Sequence, residues 1–158
     1  MAVWGIHAGG PRSPFLHSGV VVLERGGIRD LRQLGEDREA IKRELTGSYP
    51  KAKAGTVAAW AGVLLRFAFE PAVGDLVAHP ERESNTVSIG RIESEYFWDA
   101  PDRHCRRVHW LARRVPRKEL SEGARKELSA RVAFFAIRHH ADELAERVGY
   151  RGASAAGR

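Results

Sequence analysis

Between Thr56 and Phe69 the apolar positions Val57, Trp60, Ala61, Leu64, Leu65 and Ala68 recur at the spacing of one helical face. Pro71 ends the run, so a helix over 56–69 is predicted. A helix with one apolar face needs a second layer to bury it. The short segments around it supply that layer, because they read as strands.

Ala2 to Ala8 (AVWGIHA) and Gly19 to Leu23 (GVVVL) are β-branched or aromatic and bounded by Gly, Pro and Ser. The intervening 9–14 segment, GGPRSP, cannot be regular structure. VGDLVAHP carries a turn at Gly74-Asp75 followed by a strand, and TVSIGRIESEYFW follows across a polar tip, which predicts a hairpin. Within it Ile92 is out of phase with Val87 and Ile89, so Gly90 marks a bulge or a close backbone approach. RRVHWLARRV gives a further strand with Val108 and Trp110 on one side and His109 and Leu111 on the other. Asp37 is read as the N-cap of a short helix in DREAIKREL, and Ser121 as that of LSEGARKEL. AFFAIR reads as extended before a helical HADELAERV, with one kinked helix through both as the alternative.

About six short strands, two or three helices and no β-α-β rhythm predict an α+β fold with a curled, mainly antiparallel, barrel-like sheet. The chain of 158 residues is expected to form one domain over 1–148, followed by a flexible tail over 149–158.

Composition narrows the function. A single cysteine, Cys105, excludes a disulfide framework, MAVWGIHAGG lacks the pattern of a secretory leader, and no apolar window approaches a membrane span. A cytoplasmic home without membrane contact is expected. The seven histidines show no H-x-x-x-H or H-E-x-x-H spacing and are read as surface residues, with no metal or cofactor expected. No G-x-S-x-G elbow or phosphate-binding P-loop is present, so no catalytic residue is assigned and a non-enzyme is expected.

What remains is basic and aromatic. Formal net charge is +6, and Trp4, Trp60, Trp98 and Trp110, with Tyr96 and Phe97, are interleaved with Arg91, Arg103, Arg106, Arg107, Arg113 and Arg114. Aromatic faces beside cationic phosphate contacts suit a protein that holds an unstacked base. Trp4 and Trp110 sit in strand patterns and read as core, whereas Trp98 precedes a loop. Trp60 is either core or the wall of a pocket kept open by Ala58, Ala59, Ala61 and Gly62.

Four stretches, taken in order, carry a family resemblance: VWGIHAG; AAWAG followed by LLRF; VGDLVAHP followed by VSIGRIESEYFWD; and VHWLARRVPRKEL. Together they resemble the PUA-like superfamily in its EVE and YTH branches, and more closely the reader-type N-terminal domains attached to some Mrr-type restriction proteins. AFFAIRHHADEL fits those restriction-associated readers better than the YTH proteins. No nuclease segment follows in the sequence, so a free-standing reader is expected.

The resemblance implies a PUA-like fold, a non-catalytic role, and an aromatic cage for a modified base flipped out of DNA. By position it places Trp60 and Trp98 as cage walls, with Phe97 the alternative if the register slips by one. It places Ala61 at a small position of the wall, and His7, Ala8 and Gly9 at the base edge. Arg82, Arg91, Arg103, Arg106 and Arg107 are then expected on phosphates. The implied ligand is DNA carrying modified bases, 5-methylcytosine first, with an RNA-binding module or an interaction subunit of a restriction system as the alternatives. The oligomeric state is left open.

Overall fold

A computed structural model describes residues 1–7, 15–25 and 27–151. The expected base-edge residues Ala8 and Gly9 and the end of the tail, 152–158, lie outside the described residues. The strands are β1 (Val3–Ile6), β2 (Val20–Glu24), β3 (Leu76–Glu81), β4 (Thr86–Ile92), β5 (Phe97–Asp99), β6 (Arg103–Pro116) and β7 (Phe134–Ala136). The helices are α1 (Phe15–Ser18), α2 (Leu31–Leu34), α3 (Arg38–Ser48), α4 (Ala54–Phe69), α5 (Glu122–Leu128) and α6 (Ala141–Glu146). The sheet runs β2-β6-β4-β3-β1-β7, with β5 added against β6. All pairings are antiparallel except β1 with β3. The fold is therefore α+β around a curled, mostly antiparallel sheet, as the strand pattern predicts.

Strand β6 makes the curl. Residues 103–107 pair with β2, and within that stretch Arg103 to Cys105 also pair with β5, whereas Val108 to Pro116 pair with β4. One strand thus belongs to two half-sheets. The β4–β6 register shifts on either side of Ile89, and a Cβ on Gly90 would meet Val108 Cγ1 at 2.4 Å and Trp110 Cε3 at 2.9 Å. Both sequence readings of Gly90 hold, since the bulge and the close approach occur together.

The sheet has two covered faces. On one, α4 packs over Trp4, Ile6, Val77, Phe134, Val108 and Trp110. On the other, α5 and α6 pack over Val3, Leu76, Ala78, Val87, Ile89 and Phe135. Alternation along β1 and β7 assigns neighbouring residues to opposite faces: Phe134 stands edge-on to Phe67 of α4 at 5.2 Å, while Phe135 lies directly beneath Gly5. AFFAIR is extended because β7 pairs with β1, and α6 starts separately, so the kinked-helix alternative falls.

Caps follow the sequence. Asp37 accepts hydrogen bonds from the Glu39 and Ala40 N–H groups, and the Ser121 hydroxyl accepts from that of Ala124. The Asp75 carboxylate, just past the Gly74 turn, accepts from Ala2 N, Ala72 N and Trp4 Nε1 and fixes the start of β1 to β3. Tyr150, assigned from sequence to the tail, packs on the α5/α6 face, and its hydroxyl accepts from Arg91 at 2.9 Å. The packed chain thus extends to Tyr150.

Candidate nucleic-acid interface

Helix α4 buries Val57, Ala61, Leu64, Phe67 and Ala68. The apolar stripe is rotated toward Phe67, which leaves Trp60 and Leu65 half-buried at its flanks. Trp60 is therefore an edge residue. Tyr49, which follows α3, meets its ring edge-on at 5.2 Å, and the Arg25 guanidinium lies 4.4 Å above the ring centroid. Arg25 follows β2, and its backbone N–H donates to the Asp102 carbonyl in the β5–β6 turn at 3.4 Å. Arg38 donates from Nη2 to the Ala58 carbonyl at 3.3 Å, and Lys51 and Lys53 are exposed ahead of α4. The result is an indole and a phenol ring at the surface with cations around them.

Trp98 lies in β5 directly opposite His104 of β6, so the two side chains share a sheet face. His104 is fully buried. Its Nδ1 lies 2.8 Å from the Tyr96 hydroxyl, which also accepts from Leu31 N–H at 3.0 Å. Nδ1 is the acceptor within reach of the Tyr96 hydroxyl proton, so the arrangement that pairs this proton has the hydroxyl donating to Nδ1 and the His104 proton on Nε2. Burial lowers the His104 pKa to about 4, so the ring is neutral at physiological pH. Burial also raises the Tyr96 pKa, which keeps its hydroxyl a donor.

The expected site residues separate into groups. Arg25 connects Trp60 with the β5–β6 end of the sheet, where Trp98, Phe97, Arg103 and Arg107 lie; the Arg107 guanidinium sits 5.2 Å from the Phe97 centroid, and Arg103 pairs with Asp99 at 2.8 Å. Among the described residues no ring contact joins Trp60 to Trp98. His7 and Arg82 lie elsewhere, near the Pro116 end of β6. There the His7 ring stacks on Phe135 and its Nε2–H donates to the Ala130 carbonyl at 2.7 Å, while Arg82 stands at the exposed β3–β4 tip. Burial lowers the His7 pKa. Arg91 is turned to the α5/α6 face, where it binds Glu93 and Tyr150.

Two expectations need correction. Ala61 is completely buried on the core-facing side of α4 and lines the core, not a pocket. Arg106 is 2% exposed, and its guanidinium donates to the carbonyls of Phe67, Ala68 and Ser94. It caps the C-terminus of α4, where backbone carbonyls lack helical partners, and cannot reach a phosphate. Desolvation lowers its pKa to about 10, so it stays charged at neutral pH.

Histidines read as surface residues also differ: His79 and His104 are buried. The residues missed from sequence are Arg25, Tyr49 and His104, while Tyr96, grouped there with the base-stacking aromatics, is buried and bonded to His104. For His104 a signal existed, because counting back in twos from Val108 and Trp110 along β6 puts Arg106 and His104 on the inward face.

The sequence matches a family described as a domain of unknown function, DUF8426, over residues 8–132. The chain belongs to the DUF8426 family. The DUF8426 match includes Arg25, Tyr49, Trp60, Trp98 and His104, and it leaves β1, β7 and α6 outside. No curated protein and no solved structure matches the chain. No helix among the described residues is long and apolar enough to cross a membrane.

Proposed function

We infer that this DUF8426 chain is a non-catalytic reader of modified bases in DNA, with 5-methylcytosine as its ligand and the base taken flipped out of the duplex. The observation that carries the reading is the half-buried Trp60 ring with Tyr49 at its edge and Arg25 on its face. A base that stacks on Trp60 displaces Arg25, whose interaction with an exposed ring is worth about 0.5–1 kcal/mol. Stacking returns about 1–3 kcal/mol, and the released guanidinium becomes free to meet a phosphate. Extrusion of the base opposes this by a few kcal/mol, so most of the affinity has to come from Arg25, Arg103, Arg107 and the basic chain as a whole. The methyl group alone adds about 0.8 kcal/mol. The choice of 5-methylcytosine rests on the resemblance to restriction-associated PUA-like readers.

The test is a panel of otherwise identical duplexes carrying cytosine, 5-methylcytosine, 5-hydroxymethylcytosine or methylated adenine, with single-stranded RNA of the same sequence, read by fluorescence anisotropy at two salt concentrations. The 5-methylcytosine duplex is expected to bind best, with affinity falling steeply as salt rises. Trp60→Ala is expected to weaken that binding by about tenfold or more, leaving the residual salt-sensitive binding in place. Preference for RNA, or no binding to any duplex, overturns the reading.

A further inference from the structure

Near its Pro116 end, strand β6 places two residues where β4 has one. Val115 pairs with Val87 and Ala112 with Ile89, so Arg113 and Arg114 together stand against Ser88. Regular alternation would turn one of two neighbours inward, but across this bulge both arginines are exposed. The Arg113 guanidinium donates to the Leu16 carbonyl at 3.0 Å, and the Arg114 N–H donates to Ser88 Oγ at 2.9 Å. Arg114 holds φ at +53°, a left-handed backbone that disfavours a residue with a Cβ and suits glycine. An arginine held in a glycine's conformation at an exposed bulge points to a use for its side chain.

Other cations surround the bulge. Strand β3 lies beyond β4, and its tip carries the exposed Arg82, about 14 Å from Arg114 by strand spacing and rise. The Arg117 N–H donates to the Asn85 carbonyl of the same tip at 3.0 Å. His7 ties in a third segment: its backbone N–H donates to the Ala133 carbonyl at 2.9 Å and its ring to the Ala130 carbonyl at 2.7 Å, with the exposed Arg131 between these two residues. The charges of Arg82 and Arg117 both act against protonation of His7. Among the described residues Arg82, Arg113, Arg114 and Arg131 hold no carboxylate, whereas Arg29, Arg91 and Arg103 each pair with one. Of the carboxylates nearby, Glu83 shares the exposed tip and Glu81 has one oxygen buried.

We propose that Arg82, Arg113, Arg114 and Arg131 form a second contact surface, which grips the phosphate backbone of duplex DNA away from Trp60. The surface takes its partner from the reader function proposed above, but it recognises charge and needs no flipped base. Guanidinium forks match phosphate oxygens. A duplex presents a negative charge about every 1.7 Å of its axis, so cations spread over about 14 Å each find a phosphate. A rigid, regular backbone suits cations fixed at a sheet end better than a flexible single strand does.

The test uses the full chain and fluorescence anisotropy, with an unmodified duplex, the same duplex carrying one 5-methylcytosine, and single-stranded RNA of that sequence, from about 50 to 200 mM salt. The variants are Arg114→Gly, Arg114→Lys, and Arg82→Gln combined with Arg114→Gly. Arg151→Gln, which removes an exposed cation beside Tyr150, is the control for net charge. Glycine relaxes the left-handed backbone, so Arg114→Gly is expected to melt no lower than the parent. Should it melt lower, Arg114→Asn, which tolerates that backbone, takes its place.

Arg114→Gly is expected to reduce the salt slope by about one and the double variant by about two, with about tenfold weaker binding of both duplexes at the lower salt. Arg114→Lys and Arg151→Gln keep the parent's slope, and the preference for 5-methylcytosine is the same in every variant. A double variant that binds like the parent, or an Arg151→Gln effect as large as that of Arg114→Gly, overturns the inference and spares the reader function. Loss of binding in the double variant, from a parent that holds both duplexes equally, keeps the surface and overturns the reader function. RNA held more tightly than either duplex through the same arginines overturns the choice of partner, and absence of duplex binding overturns both proposals.

Discussion

The face beneath α5 and α6 buries alanines, branched aliphatics and Phe135, and keeps its polar bonds at the rim, where Ser121 meets Glu143 and Glu127 receives the backbone N–H groups of Arg138, His139 and His140. The α4 face instead buries His79, His104, Arg106 and the Tyr96 hydroxyl among its apolar side chains. It also holds the buried polar atoms left without partners among the described residues: Glu81 Oε1, Trp98 Nε1 and His104 Nε2. A face that only has to hold the molecule together has no need of such groups, since burying them unpaired is unfavourable. Their concentration on one side sets the two faces apart: both bury a core, but only the α4 face holds buried polar atoms without partners among the described residues.

The largest effect belongs to the α5/α6 face. Leu128 is fully buried there, and Leu128→Ala is expected to lower unfolding free energy by about 3–5 kcal/mol in denaturant titration. DNA affinity of the folded fraction should not change. A variant that loses affinity while folded would blur the division between the faces.

Acid should strike the α4 face first. His104 has a folded pKa of about 4 against an ordinary 6.5, so between these values the unfolded chain binds the extra proton. Its contribution is complete above about pH 6.5 and lost as pH falls to about 4, amounting to about 3 kcal/mol. His79, lowered by burial on the same face, acts in the same direction, and His7, which stacks on Phe135 of the other face, adds a contribution of the same sign there. Glu127, on the other face, is held below its ordinary 4.5 by its N–H donors and His140, so its contribution is lost only in stronger acid. Denaturant midpoints measured from pH 7 to pH 4.5 should therefore decline. A flat profile across that span would contradict a neutral, buried His104.

Tyr96→Phe is the smaller and more local probe. It removes the acceptor of Leu31 N–H and the donor to His104 Nδ1, and a loss of about 1–2 kcal/mol is expected by the same titration. A neutral substitution would mean that the hydroxyl does not hold the histidine.

Periodic and capped elements were legible from sequence. The α4 stripe, the Asp37 and Ser121 caps, the β3–β4 hairpin and the Gly90 irregularity each follow from local chemistry. Elements too short to complete a period were not: α1 and α2 have four residues each and β5 has three. The site was legible in part. Trp60 and Trp98, expected as cage walls, are both half-buried, but nothing local says that Arg25 returns to cover Trp60, or that Arg106 turns inward to α4. Those outcomes depend on partners 35 to 39 residues away in sequence. Arg106 also shows why residue type misleads: an arginine in a basic run reads as surface until strand alternation is followed through to it.

Strand β6 leaves the molecule no seam. Since the same backbone from Arg103 to Pro116 is stitched to β2 and β5 at one end and to β4 at the other, neither half-sheet can come apart without tearing the strand that the other needs. Heat or denaturant should therefore dissolve both halves in a single step, and a cut within β6 would yield two fragments, neither of which retains a complete sheet.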